Sequence, residues 1–239
     1  MNRIGRLERF YEILSQLERR VGGGFTLGTL SEQANLPERG VYFFFEDGEH
    51  RAGSTTATRV VRVGTHALRH GGKSTIKQRL GQHRGPASGS GNHRGSIFRL
   101  LVGQSWLARN KHIDCPSWGL KGEAKKAAAI LGITSEEMRA SEEPVEQAVS
   151  RYLAAMRVVV LPVVDTAGPD SDRGLIERNS IALLSNYNRP ALDEPSNTWM
   201  GLHSNRKLVR GSGLWNQRHV DEQDAPEFLG VFEELVHLT

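Results

Sequence analysis

Hydrophobic positions near the start of the chain, Ile4, Leu7, Phe10, Tyr11, Leu14, Leu17 and Val21, repeat every three or four residues. That period puts them on one face of a helix over residues 3–21, ended by Gly22-Gly23-Gly24. Such a helix packs on the domain body or, as a second use, on a dimer partner. Residues 25–39 read as a linker with a short helical turn, closed by Pro37. The pattern then switches: residues 40–45 (GVYFFF) and 58–64 (TRVVRVG) are rich in aromatic and β-branched side chains, as strands are. The polar residues 46–57 between them make a hairpin with a long loop.

Ser74 or Thr75 caps a helix that turns Ile76 and Leu80 inward. Glycine and serine dominate residues 85–95, a flexible loop, and a helix over about residues 96–109 follows. Residues 110–155 read as an inserted helical subdomain, with helices near 124–131 and 144–156. A buried third strand covers 157–164, a helix capped by Ser171 or Asp172 runs to about 185, and another amphipathic helix covers 226–238. The expected class is α+β: a small three-stranded sheet flanked by helices. Residues 1–39 form an N-terminal helix and linker, 40–190 the core, and 191–239 an extension packed on it.

Composition narrows the function. With 38% hydrophobic and 24% charged residues, the 239-residue chain is that of a soluble protein with a real core. Its longest apolar run, residues 158–164, is broken by Pro162 and is too short to span a bilayer. Arg3, Arg6 and Arg9 precede no apolar stretch, so a secretory signal is not expected and a cytoplasmic location is. Cys115 is the only cysteine, which excludes an internal disulfide and a cysteine zinc site. No His-Glu-x-x-His spacing supports zinc either.

The net charge of +4 hides an asymmetry. Residues 50–113 contain twelve Lys/Arg and no Asp or Glu, whereas the remainder carries 19 basic and 27 acidic side chains, a net of −8. An acid-free basic block of that size is the footprint of a polyanion, most economically nucleic acid. Within or near it, Arg84 and the loop pair His93 and Arg94 are candidates for phosphate contact. Residues 203–219 place Arg206, Lys207, Arg210 and Arg218 around Trp215, a mixture that suits a nucleic-acid groove.

Two motif readings compete. Residues 67–74 (ALRHGGKS) fit a relaxed phosphate-binding loop with Ala67 at its first glycine, and Asp165-Thr166-Ala167-Gly168 resembles the Asp-x-x-Gly turn of GTPases. In that reading Lys73 cradles phosphates, Ser74 meets Mg²⁺, and the protein hydrolyses nucleotides. Alternatively, Gly40-Val41-Tyr42 opens one strand and Arg62-Val63-Gly64 closes the next. Arg79 and His83 then share a helix face, Glu177 lies on the helix after the third strand, and Asn188 follows.

This second order of elements resembles the GIY-YIG endonuclease superfamily, over about residues 40–85 and 156–190. The resemblance implies a DNA phosphodiesterase using one divalent metal, Mg²⁺ or Mn²⁺, with Glu177 as its ligand. It further implies Arg79 on the scissile phosphate, Tyr42 activating water or relaying its proton, His83 tuning Tyr42, and Asn188 in support. Arg62 stands where the family usually has tyrosine, so Arg62 could touch phosphate and His66 could take over proton transfer. The implied partner is DNA, or RNA, with a homodimer or partner protein if both strands are cut; restriction or genome defence is the implied setting. The other reading of the same residues is a catalytically silent nucleic-acid-binding module.

Overall fold

The computed structural model describes residues 1–120 and 122–239. Its centre is an antiparallel sheet of four strands in the order β1–β4–β2–β3, with β1 Phe25–Thr26, β2 Gly40–His50, β3 Thr58–Gly64 and β4 Arg157–Pro162. Side chains of β2 alternate between two buried faces, which is why its first residues read as an unbroken apolar run. Val41, Phe43 and Phe45 face α1 (Arg3–Arg20), α6 (Asp172–Leu184) and α8 (Phe228–His237). Tyr42 and Phe44 face α2 (Ile76–Arg84), α3 (Ile97–Arg109) and α5 (Ser135–Ala154).

The α+β class holds, with one more strand than the periodicity indicates. Phe25 and Thr26, inside the expected linker, pair with Val158 and Arg157 at the outer edge of β4. Two residues are too few to leave an alternating pattern, and pairing with β4 is what makes them a strand. β2 runs on to His50, which turns Glu49 into the structure beside Arg59.

Residues 110–155 differ most from expectation. α5 begins at Ser135, where Thr134 and Glu137 form a capping box, and continues through Pro144. Its buried positions Met138, Glu142, Val145, Glu146, Val149 and Leu153 keep a helical period on both sides of the proline. Val145, Val149 and Leu153 share the core with α2 and α3, so α5 belongs to the body rather than to an appended subdomain. Only α4 (Ala124–Leu131) stands off the sheet, on a small cluster of Ala127, Ala128 and Met138.

The C-terminal residues close the far edge of the sheet. Trp215 N–H donates to the Val61 carbonyl at 2.7 Å, and the Asn216 amide pairs with both Val63 N–H (3.1 Å) and Val63 carbonyl (2.8 Å). Covered this way, β3 offers no free edge for pairing with another chain. Most of the apolar face of α1 packs inside the chain on α6 and α8, which is the first of its two expected uses; Ile4 remains exposed. Among the described residues no helix is long and apolar enough to cross a membrane.

Candidate active site

Close packing dictates the glycines of both tripeptides. A β-carbon on Gly40 would stand 2.2 Å from the Leu161 carbonyl oxygen of β4, and one on Gly64 would stand 2.5 Å from the Tyr42 ring and hydroxyl. Thr65 then joins the two strand ends to α6. Its hydroxyl donates to the Gly40 carbonyl at 2.7 Å and its N–H donates to Glu177 Oε1 at 3.2 Å. A register shift between Phe44 and Phe45 bulges β3, so that Val61 lies on the α2–α3 side while Val60 and Val63 lie on the other. Arg62, opposite Phe44, sits on the α2–α3 side too, with its guanidinium 4.6 Å from the centre of the Phe98 ring.

Beside these strand ends is a cavity of about 760 Å³ lined by Arg62, His66, Arg79, Glu177, Asn216 and His219, among others. Arg79 is half-exposed, donates to Gln82 Oε1 at 2.8 Å, and has no carboxylate partner among the described residues. Arg62 is buried and donates to the Trp215 carbonyl, but its Nε has no partner. Burial pulls the Arg62 pKa down, while the Tyr42 hydroxyl and Glu177 act to raise it. Glu177 is the one carboxylate on the wall among the described residues, and burial raises its pKa against the opposing pull of Arg62, His219, Thr65 N–H and Arg79.

Behind Arg62, Tyr42 and His83 are buried and do not line the cavity. His83 Nε2 lies 3.0 Å from the Tyr42 hydroxyl and its Nδ1 2.7 Å from Ser96 Oγ. Burial, then the charges of Arg62, Arg79 and Arg99, hold His83 well below its usual pKa, so its imidazole is neutral and each nitrogen has one hydroxyl partner.

The family model described as GIY-YIG domain matches residues 1–239. The chain belongs to the GIY-YIG family. Its members are generally endonucleases acting on DNA. Comparison with curated proteins and with solved structures found no match.

The GIY-YIG assignment removes the nucleotide-hydrolase reading, and the sheet explains why. All three strand pairs are antiparallel, whereas a phosphate-binding loop of that class sits between a strand and a helix of a parallel sheet. Asp165 is engaged as well, accepting Arg173 Nε at 2.6 Å and Arg173 N–H at 3.2 Å.

Other expected site residues lie elsewhere. His93 is buried against Trp118 and bonded to Glu146, and Arg94 makes two 2.7 Å bonds to Glu142. Both are spoken for by carboxylates of α5 and neither lines the cavity. Arg84 donates to the Gly85 carbonyl, and Arg206 and Lys207 are exposed at the start of α7 (Lys207–Ser212); none of the three lines the cavity. Asn188 is exposed with φ +53°, and the asparagine that ties this loop is Asn186, bonded to Asp193 carbonyl and Leu192 N–H. The acid-free block is also less free than its composition indicates. Arg51, Arg59, Arg94 and Arg99 pair with Asp193, Glu49, Glu142 and Glu146, all from outside it.

In return, the structure adds Asn216 and His219 to the wall and places Arg218 of the expected basic segment there too. The basic segment 203–219 is visible in the sequence, but nothing there marks Asn216 or His219 as sharing a cavity with Glu177. His219 adopts φ +62° and bonds Glu222 through Nδ1 at 2.8 Å, which fixes its place.

Among the described residues no cluster of three or more His, Cys, Asp or Glu could hold a metal ion. A single-carboxylate site is a different matter. Glu177 Oε1 takes the Thr65 N–H, while no described donor bonds Oε2, so one hard oxygen is open. That donor suits a Mg²⁺ ion that keeps most of its waters.

The raised pKa of Glu177 has a consequence for stability. A carboxyl whose folded pKa is raised supports the fold below its ordinary range and loses that support as pH rises through the raised value. At neutral pH without metal, the charged carboxylate thus strains the fold, and Glu177→Gln should melt a few degrees above wild type. The difference should shrink toward pH 4, where the wild-type carboxyl is protonated. Thermal unfolding followed by circular dichroism across pH checks this; a variant that melts below wild type at pH 7 contradicts it.

Proposed function

We propose that this protein is a divalent-metal-dependent DNA endonuclease whose hydrolytic centre is the cavity of Glu177, Arg79 and Arg62. The observation that carries the reading is one open carboxylate oxygen set in a wall otherwise rich in cations, at the junction of the two tripeptide strands. A phosphodiester is an anion that gains charge on its non-bridging oxygens during attack, and free guanidinium groups match that charge in bidentate fashion. Arg79, unpaired and half-exposed, binds those oxygens from α2. Arg62, held by the Trp215 carbonyl, keeps its Nε–H for the same phosphate or for a water on it.

Glu177 Oε2 holds Mg²⁺ or Mn²⁺. When bound, the cation screens the phosphate's charge and orients water. Exposed Arg69 and Arg218 at the cavity wall take neighbouring phosphates, which places the DNA backbone across α2 and the segment before α8.

Plasmid and single-stranded DNA incubated with and without Mg²⁺ test the proposal. Wild type should cleave only with metal, and Arg79→Ala should lose about 10²–10³-fold in rate, the scale for removing one charge-stabilising donor. Lys73→Ala should leave cleavage within a few-fold, since Lys73 is exposed and does not line the cavity. Tight DNA binding without cleavage by wild type would establish the binding module instead.

A further inference from the structure

Two residues of the cavity wall carry a buried polar atom with no partner: Arg62 Nε, a donor, and His66 Nε2. The state of His66 Nε2 follows from its other nitrogen. Nδ1 lies 2.7 Å from the Ser74 carbonyl oxygen, which can only accept, so the proton resides on Nδ1 and Nε2 presents a lone pair. The residue is 6% exposed and its backbone is pinned as well, since Arg173 donates to the His66 carbonyl while bonding Asp165. A buried acceptor with fixed tautomer and fixed ring, matched to no protein donor, is built for something that enters the cavity.

We propose that His66 Nε2 takes the proton of the attacking water. The proposal rests on the nuclease reading above. In the step, the water oxygen forms a bond to phosphorus and gives its proton to Nε2. The bond from phosphorus to the leaving sugar oxygen breaks, and that oxygen keeps the electron pair and takes a proton from solvent. The resulting imidazolium, still bonded to Ser74 through Nδ1, returns its proton to bulk water.

The surroundings keep the ring neutral and ready. Burial first, then Arg173 on α6, Arg39 before β2 and Arg79 on α2, lower the His66 pKa to about 4, opposed by the Ser74 carbonyl. Asp165 offsets part of the Arg173 charge, and Glu177, Arg62, Arg69, Arg218 and His219 face the same cavity. An entering phosphodiester brings negative charge against these arginines and raises the proton affinity of Nε2 when water is attacked.

The test compares wild type with His66→Asn and His66→Ala. Asparagine preserves an N–H donor for the Ser74 carbonyl while removing the Nε2 lone pair, and a wild-type melting temperature shows that the variant folds. Both variants should bind DNA, and Mn²⁺ by paramagnetic titration, within a few-fold of wild type. Their cleavage should fall about 10²–10⁴-fold, the range for loss of a general base. Free imidazole should restore part of the His66→Ala rate in proportion to its unprotonated form, which a merely structural histidine would not allow. Three results overturn the proposal. These are cleavage by folded His66→Asn within tenfold of wild type, absence of imidazole rescue, and loss of Mn²⁺ binding in both variants. Wild type that cleaves no DNA would instead overturn the nuclease reading beneath it.

Discussion

Glu177→Ala and Glu177→Gln should abolish metal-dependent cleavage while leaving DNA binding intact or tighter. Among the described residues Glu177 is the only acid on the cavity wall, so no described carboxylate beside it can replace it as a hard oxygen donor. Loss of the cation's several kcal/mol of charge stabilisation corresponds to roughly 10³–10⁴-fold in rate. Binding moves the other way, because an anion facing Arg62, Arg79 and the DNA phosphates is removed. Fluorescence anisotropy with labelled DNA and single-turnover cleavage measure the two effects separately. Glu177→Gln retaining cleavage within tenfold in Mg²⁺ would refute the role of Glu177. A parallel loss of binding would mean that the substitution disturbs the cavity instead.

The largest stability effect should come from Glu146→Ala, far from any reacting atom. Arg99 is fully buried and donates to Glu146 Oε2 from Nε (3.0 Å) and Nη2 (2.5 Å). It also donates to the carbonyls of His83 (2.9 Å) and Arg84 (3.1 Å) and to Ser150 Oγ (2.9 Å). Glu146 in turn accepts the backbone N–H of His93 at 2.7 Å and lies 2.9 Å from its Nδ1. Burial works to raise the Glu146 pKa, yet His93 and Arg99 together hold it below the usual carboxylate range.

Removing Glu146 strands a guanidinium in the core, at a cost of about 3–5 kcal/mol. Against a total of about 5–15 kcal/mol, that is a substantial part of the stability. Urea unfolding with an unchanged slope should report it. Because Arg99 clamps the last carbonyls of α2, the element that carries Arg79, cleavage at elevated temperature should fall as well. A loss under 1 kcal/mol would show that water reaches and solvates Arg99. The lowered pKa also means that this cluster supports the fold above the ordinary carboxylate range and releases it as pH falls through the folded value.

The basic block is less free in the fold than in the sequence. Arg99 and Arg94 lie in a run without acids, yet α5 brings Glu146 and Glu142 to them from almost fifty residues away. Ion pairing follows distance in space, and composition windows cannot see it. Pro144 misled in a similar way, because a proline argues locally against a helix, while burial of Val145 and Val149 on α2 and α3 carries α5 through it. The sequence offers His66 for proton transfer only through the resemblance; its fixed tautomer and unpartnered Nε2 exist only once Ser74 and Arg173 are in place.

Local order was legible because its causes are local. Alternation and period marked β2, β3, β4, α1, α2, α3 and α6 within a few residues, and the spacing of the two glycine-bearing tripeptides from Arg79, His83 and Glu177 pointed to the family. The tertiary structure decided which of these side chains meet. It buried Tyr42 and His83 behind Arg62, brought Asn216 and His219 into the same cavity wall as Glu177, and left Arg79 without a carboxylate partner among the described residues. Periodicity is a property of neighbouring residues along the chain. Burial and charge pairing depend on the path of the whole chain, and in this protein they separate the charged groups that line the cavity from those that hold the fold.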